Sequence, residues 1–235
     1  MVAFEVRLYD RIGSTNDEAR RLAQEGAQAG TVVCADEQTT GRGRQARTWY
    51  SPPGNLYLSV LLRPEVDSTR LPELAFVTAL AVADTADALL PASVRASLKW
   101  PNDVLVNGAK IAGILLEQVD AALVIGVGFN VLHAPPNASY KVTTLATCGG
   151  LATVDGARSI LLDRLARQLA AWEADGFAQV RAAWLARAHP LGAALRITLD
   201  GRALNGQFAG LDADGALLLE TTEGRRRIVA GDVAA

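Results

Sequence analysis

The chain has 235 residues, half of them hydrophobic and a fifth charged, enough for one substantial core plus a small appended module and against wholesale disorder. A net charge of -2 gives no general attraction to nucleic acid or anionic membranes, and Cys34 and Cys148 are too few and too far apart for a disulfide framework or metal knuckle. Residues 1–10 carry Glu5 and Asp10 and do not read as a signal peptide, and no apolar run approaches a membrane span, so a soluble cytoplasmic protein is expected.

In chain order, residues 6–9 read as a short strand. Thr15 and Glu18 then stand at capping-box spacing and open a helix running to Gln24. Residues 31–35 form a β-branched strand of buried type, leading into Gly41-Arg42-Gly43-Arg44-Gln45-Ala46-Arg47-Thr48-Trp49, which has neither helical nor strand period. The turn Ser51-Pro52-Pro53-Gly54-Asn55 announces a strand over 56–62. Pro72 starts a long helix with apolar positions near Leu74, Val77, Ala81, Thr85 and Leu89, and Pro91 ends it. Strands over 93–99, 103–106 and 110–119 follow, and Asn107-Gly108 predicts a type I′ hairpin turn between the last two. A further strand covers 123–129, with Gly126 and Gly128. Beyond a polar, glycine-rich stretch over 139–156, two amphipathic helices over 158–175 and 179–188 join near Gly176. After His189-Pro190 the texture changes. Short strands around 195–199, 205–211, 216–221 and 225–229 alternate with Asp-Gly and Glu-Gly turns, as in a small all-β barrel or sandwich that leans on the larger domain.

The segment from Gly41 to Trp49 is equipped to close over a phosphorylated small molecule. Its glycines let backbone N–H groups approach a ligand, and its arginines offer planar forks suited to phosphate. A solvated basic loop is the plainer reading of such a run taken alone. With two glycines and no hydrophobic anchor before Trp49, residues 41–47 are expected to be mobile until a ligand orders them. Lysine usage adds a second signal. Of 23 basic residues only Lys99, Lys110 and Lys141 are lysines, so a retained lysine is a candidate for work needing a compact point charge.

Three further segments carry chemistry. Lys99-Trp100-Pro101-Asn102-Asp103 lies between two strands, Lys110-Ile111-Ala112-Gly113-Ile114-Leu115 leaves the hairpin, and Gly126-Val127-Gly128-Phe129-Asn130-Val131 ends an apolar strand. Singly, Lys110 reads equally well as an exposed hairpin lysine, Trp100 as a core anchor and Asp103 as a turn residue. The last segment fails as a dinucleotide signature, since no third glycine opens a helix. In this order and spacing, however, the four segments resemble the biotin–protein ligases. The resemblance covers nearly the whole chain, including Ser14-Thr15-Asn16, Gln38, Ser51 through Leu58 and the C-terminal Gly215-Ala216-Leu217-Leu218-Leu219-Glu220.

That resemblance implies an α/β (α+β) architecture: a ligase domain over 1–188 related to class II aminoacyl-tRNA synthetases, and a small SH3-like β-barrel over 189–235. It implies that biotin is joined to ATP as biotinyl-5′-AMP and passed to one lysine of a biotin carboxyl carrier domain, of acetyl-CoA carboxylase or a related carboxylase. Lys110 matches the family's catalytic lysine at the acyl-phosphate centre, and Arg44 and Arg47 match arginines that fold over the adenylate. Asp103 matches an aspartate near the incoming carrier lysine. Ser14, Thr15 and Gln38 match positions that hydrogen-bond the ureido ring, with Asn16, Gly41, Arg42, Lys110 and Gly113 completing the biotin set. Arg42, Trp49, Asn102, Lys110 and Asn130 join the arginines in the adenylate set. Magnesium is expected with the ATP phosphates, and no dedicated metal cage is visible.

The ligase pattern starts about a dozen residues from Met1, so a monofunctional ligase without a DNA-reading module is expected. Gln45 and Ala46 stand where relatives vary or often carry Gly or Arg, which leaves loop stiffness open. Two rivals remain: a lipoate–protein ligase or octanoyl transferase of the same fold, and a non-catalytic protein that captures biotin or a carrier domain. The carrier's identity and homodimerisation are left open.

Overall fold

β1 (Glu5–Ile12) and β2 (Thr31–Gln38) run parallel, with α1 (Thr15–Gln24) crossing between them, from Glu5 opposite Thr31 to Ile12 opposite Gln38. The structure is a computed structural model and describes residues 2–199 and 202–233. β3 (Leu56–Leu62), β4 (Ala96–Lys99), β5 (Asp103–Val106), β6 (Ala109–Val119) and β7 (Ala122–Phe129) complete a seven-stranded sheet of order β1-β2-β3-β7-β6-β5-β4, antiparallel beyond the first pair.

The central strands read as unbroken apolar runs because both of their faces are covered. Val33, Leu61 and Val124 pack beneath α1. Their chain neighbours Val32, Val60 and Ile125 point the other way, as period two requires, into a larger core with α2 (Glu73–Leu89) and α3 (Val154–Asp175). α1 is only 10 residues long, so it shields one end of its face and leaves the rest of the sheet bare.

Several expectations shift. Ser14, not Thr15, is the N-cap of α1, and no side chain caps that helix. Thr15 instead turns its hydroxyl to Gln38 Oε1 at 3.1 Å, and Glu18 accepts from the Tyr9 hydroxyl at 2.8 Å. A tertiary partner won over the local capping box in both cases. α3 begins four residues before the expected start because Thr153 caps it, its side chain accepting from Gly156 N–H. α4 (Phe177–Leu185) starts directly after the Gly176 break. The turn between β5 and β6 has φ of 51° at Asn107 and 73° at Gly108, both positive as type I′ demands.

The C-terminal segment forms a five-stranded antiparallel sheet from β8 (Ala194–Leu199), β9 (Arg202–Leu211), β10 (Leu217–Thr221), β11 (Gly224–Ile228) and β12 (Asp232–Val233), ordered β11-β10-β9-β8-β12. The two-residue β12 is too short to show any period in sequence. The sheet is seated on the larger one through the turn before β10. Trp100 Nε1 donates to Gly215 O at 3.1 Å, and Gly215 lies against Phe76, whose ring meets Phe177 and Trp184 edge-on at 5.4 Å.

A Cβ at Gly215 would come within 2.6 Å of the Phe76 ring at a φ of +89°, whereas one at Gly192, at φ +83°, meets nothing within 4 Å. Gly192→Ala therefore carries backbone strain alone, about 1 kcal/mol. Gly215→Ala adds overpacking of about 1–3 kcal/mol. Thermal unfolding of the two variants measures the difference, and equal losses would mean that this turn does not seat the module.

Candidate active site

Beyond the N-terminus of α1 its face of the sheet continues through Ser59, Gly113, Gly126 and Gly128. Here small residues replace large ones and leave a cavity of about 800 Å³, at the roomy end for a small-molecule site. The space above the glycines is used: a Cβ on Gly126 would overlap the Asn16 amide, and one on Gly128 the Trp49 indole. Gly113 pairs with Gly128 across β6 and β7 and lies under the same ring. Trp49 Nε1 is buried without a protein partner, a donor available at the cavity wall.

One end of the cavity is lined by a polar network. Thr15 N–H donates to Gln38 Oε1 at 2.8 Å, and Gln38 Nε2 donates to Ser51 Oγ at 3.0 Å. Ser59, fully buried, has its hydroxyl 2.8 Å from Thr15 Oγ1 and 2.5 Å from Asn16 Oδ1. Asn16 Nδ2 donates to Glu117 Oε2 at 2.7 Å, and Glu117 receives Arg42 Nη2 on both oxygens at 3.1 Å. Arg42 also donates to Asp17 at 2.5 Å, and the guanidinium beside it holds the Asp17 carboxyl below the usual carboxylate range. Each polar group is preset by another, which fixes donors and acceptors in place before any ligand arrives.

The other end is cationic. Lys110 Nζ lies 2.6 Å from Asp103 Oδ1, and Lys99 Nζ 3.1 Å from Asp103 Oδ2, so two ammonium groups share one carboxylate. Lys110 Nζ also stands 5.1 Å from the centre of the Trp49 ring and 5.6 Å from that of Tyr140. Burial pushes the Tyr140 phenol up. A break in strand pairing aims Lys110. By simple alternation it would share a face with Ala112 and Ile114, which lie in the α2 core. The register slips between Val104 and Leu105, so Ile111 turns into that core and Lys110 into the cavity.

The loop between β2 and β3 closes the cavity. It makes a bridge between Arg42 and Thr48 and a single 3₁₀ turn, Arg44–Ala46, where the sequence suggested no regular structure. Gln45 and Ala46 hold φ of 55° and 56°, a left-handed pair that non-glycine residues resist. The loop has polar anchors that the sequence reading left out. Arg44 Nη1 donates to Asn102 Oδ1 at 3.4 Å and to Gly231 O at 3.3 Å, and Arg47 pairs with Asp232.

Of the site residues expected from sequence, the cavity wall gathers Ser14, Thr15, Asn16, Gln38, Arg42, Arg44, Arg47, Trp49, Asn102, Asp103, Lys110 and Gly113. Gly41 and Asn130 lie outside it. Gly41 is packed against Ser51 and Gln38, and Asn130 is buried with Nδ2 donating to Thr143 O at 3.1 Å. Sequence reasoning missed Ser59, Glu117, Tyr140 and Asp232. It ranked Lys99 by lysine scarcity but gave it no place in the site.

A mixed α/β sheet carries this cavity on one face, with an antiparallel sheet seated beside it. The biotin/lipoate A/B protein ligase family matches residues 8–130, and the biotin protein ligase C-terminal domain matches residues 191–234. The chain is 39% identical to the biotin–[acetyl-CoA-carboxylase] ligase of Paracoccus denitrificans over 95% of this chain and 97% of that one. It is 35% identical to the bifunctional ligase/repressor BirA of Bacillus subtilis over 96% of this chain and 72% of that one. Among solved structures, the biotin protein ligase from Aquifex aeolicus in complex with biotin and ATP superposes with a TM-score of 0.86 at 29% identity, covering 98% of this chain and 97% of that one. This chain belongs to the biotin protein ligase family.

Proposed function

We propose that the chain activates biotin with ATP and transfers the biotinyl group to a lysine of a biotin carboxyl carrier domain. The observation that carries this reading is one cavity with a preset polar cluster at one end and the Lys99–Asp103–Lys110 cluster at the other. A urea needs donors for its carbonyl and acceptors for its two N–H groups, and Ser14, Thr15, Asn16 and Gln38 offer both. Lipoate has no urea, so in a lipoate ligase this array of donors and acceptors would have nothing on the ligand to recognise. A pure binding protein has no use for two ammonium groups gathered on one carboxylate.

In the first step a biotin carboxylate oxygen bonds to the α-phosphorus of ATP, the bond to the bridging oxygen of the β-phosphate breaks, and pyrophosphate leaves. Two anions must meet, and Lys110 with Arg44 supplies the opposing charge in a site that excludes water. In the second step the carrier amine attacks the acyl carbon and AMP departs. Asp103, which faces Lys99 and Lys110, is suited to take the proton that the amine loses. Magnesium accompanies the ATP phosphates in this reading. Among the described residues no three ligating side chains cluster, and Asp103 and Asp232 are each engaged by two cations.

We assign residues 1–188 to catalysis and 189–235 to a module that completes the site. We place the reaction in the cytoplasm, and no helix of the described residues is long and apolar enough to cross a membrane. The test is incubation with ATP, magnesium, biotin and a carrier domain, followed by mass measurement of the carrier. One added biotinyl group and AMP are expected. A carrier left unmodified by biotin but modified by lipoate would overturn the reading.

A further inference from the structure

Arg44 and Arg47 sit in one loop but are held differently. Arg47 donates to Gln45 Oε1 at 2.7 Å within the loop and pairs with Asp232, the first residue of β12. Arg44 is more loosely engaged, at 3.9 Å from Asp232 and 3.4 Å from Asn102 Oδ1. Its side chain is 25% exposed, against 55% for that of Arg47, so Arg44 is the one enclosed at the cavity.

The C-terminal strand contributes more than one acceptor. Gly231 O accepts from Arg44, and Val233 O accepts from Lys99 Nζ at 3.3 Å. Residues 231–233 thus present a carboxylate and two carbonyls to three cations of the site. Pairing of Asp232 with Thr198 and Val233 with Ile197 anchors those acceptors to the C-terminal sheet. The loop is braced mainly within itself, by the Arg42–Thr48 bridge; Gln45 to Thr48 are exposed, and its left-handed pair favours springing open.

We propose that Asp232 is a positioning residue for retention of the activated intermediate: its pair with Arg47 latches the Gly/Arg loop to the C-terminal sheet and leaves Arg44 free to turn onto the phosphate. The inference rests on the ligase reading above and deepens it. It divides the labour of two arginines that the family resemblance treats alike, and it makes the small module a working wall of the site. A loop that opens exposes a mixed anhydride to water and to stray amines, so latch strength sets the lifetime of the intermediate.

The experiment uses the full chain and measures biotin-dependent pyrophosphate release together with the rate at which the adenylate leaves. Asp232→Asn still forms adenylate but loses it roughly three- to fivefold faster, the scale of one partly exposed ion pair. Asp232→Glu restores retention. Asp232→Arg places a third guanidinium beside the other two and leaks more. Combining Asp232→Arg with Arg47→Glu reverses the pair and recovers part of the lifetime, which a merely structural role for Asp232 would not produce. Thermal unfolding of each variant separates leakage from loss of fold. An Asp232→Asn enzyme with the wild-type lifetime, or a charge-swapped chain as leaky as Asp232→Arg alone, overturns the latch. Wild-type protein that releases no pyrophosphate with biotin overturns the ligase reading, and the latch with it.

Discussion

Lys110→Ala is expected to slow adenylate formation by about a hundredfold to a thousandfold, the usual loss when one preorganised charge partner of a transition state is removed. The lysine is a compact charge in a confined place: Asp103 lies 2.6 Å from Nζ, two aromatic rings stand beside it, and the Gly113 backbone passes beneath. Biotin affinity should fall far less, because the polar cluster proposed to bind the ureido ring lies at the other end of the cavity. Lys110→Arg should rescue poorly, since a wide planar fork needs room that Trp49 and Gly113 do not leave. Pyrophosphate release and biotin binding, measured on the same variants, test this. Near-normal release by the alanine variant would return Lys110 to the status of a hairpin lysine.

Arg44→Gly should show the opposite pattern: adenylate still forms, because Lys110 and Lys99 remain, but it is no longer held. The arginine contacts Asn102 and Gly231 O across the cavity mouth, so its loss removes both a phosphate partner and a closing contact. Glycine at this position also loosens a turn already strained at Gln45 and Ala46. Escaped adenylate acylates exposed amines without selection, so albumin added to the reaction should become biotinylated. An Arg44→Gly enzyme that retains its adenylate as long as wild type, and leaves albumin unlabelled, would assign the arginine another task.

Much of this molecule was legible locally. The β5–β6 turn follows from Asn107-Gly108 because few dipeptides accept two positive φ values, and the helix breaks at Pro91 and Gly176 follow from equally local constraints. The capping box at Thr15 and Glu18 was legible too, but the structure does not use it, since both side chains found partners in β1 and β2. The resemblance gave Asn130 a nucleotide contact, and its side chain lies buried with Nδ2 donating to Thr143 O.

The sequence by itself determined the order of the elements as far as β11, the Gly/Arg loop and the motif set that marks the family, and through the scarcity of lysine it singled out Lys99 and Lys110. These properties are written in neighbours a few residues apart. Only the tertiary structure decided where the side chains point and which distant ones meet. Lys110 faces the cavity through a one-residue slip in pairing with β5, Ser59 and Glu117 enter the site from strands that carry no motif there, and Asp232 reaches Arg47 from 185 positions away. Facing changes with every single-residue shift in register, and long-range charge pairs depend on how two sheets seat. Both are outcomes of packing the whole chain, so no local pattern could announce them.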